Sequence, residues 1–189
     1  MDQNIKQSMM ETARGFTLPT YQEIPNVGLY LEQTAKYLSE YLQPLEDVTI
    51  TTSMISNYVK KGLVANPVKK TYSREQIAYL MFIALAKSVM SMESIGQILE
   101  LQKKTYPADR AYEYFRREFL NVLQVVFGCK EELSNIGGEN SDEKLLLRKV
   151  IVTVAHKICL DTCFAQMRRM EQPAEEPHKS KKKDTEEQK

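Results

Sequence analysis

The sequence predicts an all-α fold, and three observations carry that reading. Only seven glycines and seven prolines stand among 189 residues, against many Leu, Ile, Met, Lys, Glu and Gln, which favour helix over sheet. Apolar residues recur three and four apart in segment after segment, the period of one helix face. Helix stops and starts punctuate the chain at Gly62, at a Ser73–Gln76 capping-box pattern, at Ser91 and at Gly128.

At this length the chain makes one domain, or two small ones sharing a core. Apolar residues make up 42% and charged residues 27%, the composition of a soluble globular protein. The net charge is +1, so any attraction to nucleic acid must come from a local patch. The polar opening residues lack the apolar stretch of a signal peptide. The longest apolar runs, such as Ile77 to Ala86, fall far short of a membrane span, so no membrane association is expected. Three cysteines, an odd number, suggest free thiols and a cytoplasmic location.

Taken in order, residues 1–26 are weakly patterned, with Pro19 and Pro25 bracketing an extended stretch. Leu31, Ala35, Leu38 and Leu42 mark a helix over Leu29–Leu42. Ser53–Lys61 reads as a short helix, with Thr52 as N-cap and Gly62 as its stop. Leu63–Thr71 is a loop or small hairpin around Asn66-Pro67. The helix opened by Ser73 is apolar on nearly every side from Ile77 to Ala86, which places it at the centre of a core. Ser91 opens a helix carrying Ile95, Ile98 and Leu99.

Beyond Pro107, Tyr112, Phe115, Phe119, Val122 and Val126 form a heptad-like seam, either a core helix or a dimer contact. A flexible link then precedes a long helix over Asp142–Met170 with two apolar faces. One face carries Leu147, Val150, Ile151, Val154 and Ile158. The other carries Leu145, Val152, Cys159, Cys163 and Met167. Such a helix lies between two neighbours or two subunits. From Gln172 onward the composition is that of a disordered tail. The expected division is thus an extended segment (1–26), a first helical domain (27–104), a helical region for dimerisation or signal input (105–170), and a charged tail (171–189).

Basic residues concentrate in one place. Between Thr51 and Gln76 stand Lys60, Lys61, Lys69, Lys70 and Arg74, with Glu75 the only acid, a local net charge of +4. In the short helix, Ile55, Tyr58 and Val59 share the inward face, while Ser53, Ser56, Asn57 and Lys60 share the outward one. Hydroxyls, an amide and a cation without a carboxylate suit phosphates and base edges. The alternative is a solvated surface, with lysines favoured by the helix dipole.

The stretch "MISNYVKKGLV … KTYSREQIAYLMFI … SMESIGQILE" resembles the winged helix-turn-helix of MerR-type regulators. Tyr58, Gly62-Leu63, Lys70-x-Tyr72-Ser73, Ile77, Leu80, Ile83 and Ile95-x-x-Ile98-Leu99 match that pattern in order. "LPTYQEIPNVGLYLEQT" resembles a bacterial family of unknown function, number 1836, which is similar to MerR. The resemblance covers roughly residues 16–110. It implies a MerR-like core with a short or vestigial wing, and sequence-specific binding of double-stranded DNA by a cytoplasmic homodimer that regulates transcription. An effector acting at the C-terminal half would fit the same scheme. Thr52, Ser53, Ser56, Asn57, Tyr58, Lys60, Lys61, Lys69, Lys70, Tyr72 and Arg74 would form the DNA surface. Ser56-Asn57-Tyr58 stands where that family usually has Arg-Tyr-Tyr. The rival reading is a winged-helix-derived protein-interaction module without DNA binding.

His156, Cys159 and Cys163 lie on one stripe of the last helix, as soft metal ligands, a redox pair or plain core residues. The core reading is preferred, so no metal or cofactor is expected. No phosphate-binding glycine loop and no nucleophile-and-base pair is visible, and no enzymatic activity is expected.

Overall fold

The computed structural model of the chain describes residues 2–136 and 141–171. The expected tail, and part of the link before the last helix, lie outside them. Among the described residues are seven α-helices and two short strands: α1 (Gln3–Gly15), β1 (Leu29–Tyr30), α2 (Leu31–Leu42), α3 (Thr52–Lys60), β2 (Thr71–Tyr72), α4 (Arg74–Ala86), α5 (Met92–Thr105), α6 (Ala108–Val126) and α7 (Asp142–Glu171). The helical class is as the sequence predicts.

The opening segment is a correction. Residues 3–15 are helical, not extended: Asp2 accepts from the Asn4 amide at 2.7 Å, and Ile5, Met9 and Ala13 bury one face. One apolar residue per turn is too thin a stripe to read without its partners. Those partners are α6 and α7, and Phe16, just past α1, meets Phe119 edge-on at 6.0 Å.

At the centre lies α4, buried from Gln76 to Ala86 except for half-buried Tyr79. Such a helix needs neighbours all round. Phe82 stands perpendicular to Phe115 at 5.3 Å, and Phe115 stacks on Phe119 at 5.9 Å. Each such pair adds roughly 0.5–1.5 kcal/mol beyond its buried area. The aromatic seam of α6 is therefore spent inside the chain.

The long helix α7 packs chiefly on α6, and also on α1, α4 and α5. Its first predicted face is inside: Val150, Ile151, Val154 and Ile158 are buried and Leu147 packs against them. The second face is only partly covered: Val152, Cys159 and Cys163 are half-buried against the core, Leu145 and Met167 are exposed, and beside it Leu160, Phe164 and Met170 are open to solvent. By length and composition α7 could cross a membrane, with a mean hydropathy of 1.3 over its most apolar window, contrary to the sequence expectation. Its buried face, however, is a core-helix face, and Arg148, Lys157 and Asp161 punctuate it.

Candidate nucleic-acid interface

The short helix α3 is cut out of the chain by capping. Its N-cap is Thr51, whose hydroxyl accepts from the Met54 amide at 3.2 Å, one residue before the Thr52 expected. At the other end Gly62 adopts φ +73°, its amide donates to Val59 (2.9 Å), and the Leu63 amide donates to Tyr58 (3.0 Å). That double bond is a Schellman stop, which the left-handed conformation open to glycine makes inexpensive. Ile55 is 0% exposed and Tyr58 3%. These two hold α3 to the core, and burial pushes the Tyr58 phenol up in pKa. Ser53, Ser56, Asn57 and Lys60 all face solvent, while Thr52 is half-buried. Beneath α3, Lys87 donates to the Thr49 carbonyl and to Met54 Sδ, and desolvation lowers its pKa.

Between α3 and α4 the chain turns in a two-residue hairpin. Val68 and Thr71 exchange backbone bonds of 3.1 and 3.0 Å, and the Thr71 hydroxyl donates to the Val68 carbonyl at 2.8 Å. The hairpin lies at Lys69-Lys70, not at Asn66-Pro67 as the sequence suggests. Both lysines have positive φ, +50° and +66°, as a type I′ turn requires. Asn-Gly is the usual choice there, because a left-handed side-chain-bearing residue costs about 1 kcal/mol or more. Here the turn instead places two exposed lysines in succession at its tip.

Pairing with β1 steadies the hairpin. Leu29 faces Tyr72 and Tyr30 faces Thr71. A Cβ on Gly28 would lie 2.5 Å from Thr71 Oγ1, so only glycine lets the strand approach this closely. The pairing brings Tyr30, 55% exposed, beside the lysine tip, with exposed Val68 next to it. Neither residue was legible as part of the site, since a two-residue strand leaves no periodic signal.

Two predicted contact residues are instead structural. Tyr72 is 4% exposed and belongs to the core. Arg74 turns away from the basic surface: Nε donates to the Ile24 carbonyl (2.7 Å), Nη1 to Gln22 Oε1 (2.9 Å) and Nη2 to the Gln22 carbonyl (3.2 Å). Its guanidinium also lies 5.6 Å from the Tyr21 ring. The predicted capping box is present, with Gln76 Oε1 accepting from the Ser73 amide and the Ser73 hydroxyl accepting from that of Gln76. Gln76 Nε2 also donates to the Ala65 carbonyl at 2.8 Å, which ties the loop after α3 to α4.

A family model described as Domain of unknown function (DUF1836) matches residues 19–115, just over half of the chain. The chain belongs to the DUF1836 family. No curated protein and no solved structure matches it. The DUF1836 region holds both strands, α2 to α5 and the start of α6. It includes every residue of the basic surface and leaves α1 and α7 outside.

The cysteine stripe of α7 lies beyond the DUF1836 match. His156 is exposed, while Cys159 and Cys163 are half-buried. The Cys159 thiol donates to the Val126 carbonyl at 3.7 Å, and burial, then Cys163, raises its pKa. No three His, Cys, Asp or Glu side chains among the described residues are grouped to hold a metal ion.

Proposed function

We propose that the chain is a sequence-specific DNA-binding regulator of MerR-like type, with α3 as recognition helix and the Val68–Thr71 hairpin as a short wing. One observation carries this reading. Lys60, Lys61, Lys69 and Lys70 are all exposed, and none makes an ion pair with a described residue. Elsewhere Lys36, Lys103 and Lys157 each sit against a carboxylate, and exposed Lys6, Lys104 and Lys149, which have none, are scattered, whereas these four fall within eleven residues of one another. Glu75, the only acid in the segment, is directed to the Tyr79 hydroxyl instead. Unanswered cations at a helix end and a hairpin tip suit phosphate contacts, and Ser53, Ser56 and Asn57 suit base edges. Arg74 and Tyr72 position this surface and do not contact DNA.

The test is fluorescence anisotropy on selected and random duplexes across a salt series. Lys69→Ala with Lys70→Ala should weaken binding to all sequences and flatten the log–log salt slope by about one unit per lost contact. Asn57→Ala should cost roughly 1–3 kcal/mol on the preferred sequence alone. Absence of duplex binding at low salt would remove the reading and leave the rival, a protein-interaction module.

Readers with one short recognition helix bind as symmetric dimers. The open face of α7 supports a homodimer, since Leu160, Phe164 and Met167 repeat at helical spacing. Phe164→Glu should then convert a dimer to a monomer in light scattering. A monomeric wild type at high concentration would refute it.

A further inference from the structure

We infer that the solvent face of the small sheet at the hairpin is an apolar contact to DNA, in which Tyr30 and Val68 pack on deoxyribose rings while Lys69 and Lys70 hold the adjoining phosphates. This contact rests on the DNA-binding reading above and adds to it an interaction of a different kind.

The pairing extends across three segments of chain. Thr71 pairs with Val68 across the hairpin and with Tyr30 of β1 on its other side. Residues that pair directly send their side chains to one face, so Tyr30, Thr71 and Val68 form a row across the sheet. Neighbouring strands lie about 4.8 Å apart, which makes the row roughly 10 Å long. Leu29 and Tyr72, next along their strands, point to the opposite face, where both pack against the core. The row is left on the water side: Tyr30 is 55% exposed and Val68 72%.

A sheet with one face in water ordinarily carries polar residues outward. Here the outward positions hold a ring and a branched aliphatic, and the Thr71 hydroxyl between them is taken up by the Val68 carbonyl. At the end of the row Lys69 and Lys70 have positive φ, and neither makes an ion pair with a described residue. Strain held at an exposed tip points to function. A duplex backbone alternates in the same way, with anionic phosphates joined by sugars whose C–H edges are apolar. Two apolar side chains are too few to hold a lipid surface, which takes a whole helix face. A sugar–phosphate strand asks for no more than they offer.

The test is anisotropy on the full chain, with selected and random duplexes across a salt series. Tyr30→Ser and Val68→Thr should each weaken binding by about 5-fold. The loss should be equal on both duplexes and leave the log–log salt slope unchanged, since no charge is removed. Lysine loss changes the slope, and Asn57→Ala acts on the selected sequence only, so neither shares this signature. Both variants suit the fold. Threonine keeps the branched shape at position 68, and serine keeps the Tyr30 amide that donates to Gln33 and is a favoured N-cap. Tyr30→Phe should bind as tightly as the wild type. A loss there would mean that the phenol hydrogen-bonds to phosphate, and would overturn the apolar contact. Wild-type affinity of Tyr30→Ser and Val68→Thr would overturn this contact alone and leave the DNA-binding reading standing. A wild type that binds no duplex at low salt would remove both. Single-stranded DNA bound more tightly than duplex, with Tyr30→Ser erasing the difference, would assign the row to base stacking. Vesicles of phosphatidylcholine and phosphatidylserine that bind the wild type but not Tyr30→Ser would assign it to lipid. Either result overturns the contact.

Discussion

Arg148 of α7 donates its Nε hydrogen to Oε1 of Glu118 at 2.5 Å, and Glu118 on α6 is wholly buried. The second carboxylate oxygen of Glu118 has no partner, so the guanidinium is the main compensation for a charge inside the core. Such a pair adds little net stability but is costly to break on one side. Arg148→Met should destabilise the protein by about 3–5 kcal/mol in urea unfolding. Adding Glu118→Leu to it should recover most of the loss. A mild single mutant would mean that water already meets the charge.

The Lys69-Lys70 turn separates stability from binding. Lys69→Asn with Lys70→Gly supplies the residues a type I′ turn prefers and should raise stability by about 1 kcal/mol. The same change should lower duplex affinity and reduce the salt slope by about two units per subunit. Thermal unfolding and salt-dependent anisotropy on one preparation measure both. A loss of stability would mean that the lysines hold the turn by contacts of their own.

Arg74 should behave as a clamp. Arg74→Ala removes three donated hydrogen bonds to the 22–24 segment and should cost about 2–3 kcal/mol. Arg74→Lys should not restore it, because an ammonium lacks the planar fork. Binding measured below the unfolding transition should keep its salt slope. A slope reduced by one unit would return Arg74 to the phosphate-contacting set.

Alkali should unfold the protein. Tyr21, Tyr37, Tyr58, Tyr72, Tyr79, Tyr112 and Tyr114 all have pKa values raised above the ordinary 10.0, each chiefly by burial. Above pH 10 the unfolded chain releases these protons and the folded chain keeps them. Their contribution is therefore complete below pH 10 and is lost as pH rises through the folded values. Lys87, with its lowered pKa, acts oppositely just below 10.5, but as one group against seven. Tyrosinate absorbance should rise with the loss of helical circular dichroism. Independent ionisation of all tyrosines with the fold intact would contradict this.

Features that depend on neighbours along the chain were legible before any contact was known. The all-round apolar run of α4, the Ser73–Gln76 box, the glycine stop at Gly62, and the outward Ser53, Ser56 and Asn57 follow from helical period and capping chemistry, and each is present. Features that depend on residues far apart emerged only from the packed chain. Arg74 reads as one more cation until Gln22 and Ile24, some fifty positions earlier, receive its hydrogens. The thin stripe of α1 becomes a helix because α6 and α7 cover it. The hairpin falls at Lys69-Lys70 because β1, closed in by Gly28, pairs with Thr71 and Tyr72, and long-range pairing outweighs the local turn preference of Asn66-Pro67. The row of Tyr30, Thr71 and Val68 exists only where three segments pair, and no single segment carries a trace of it.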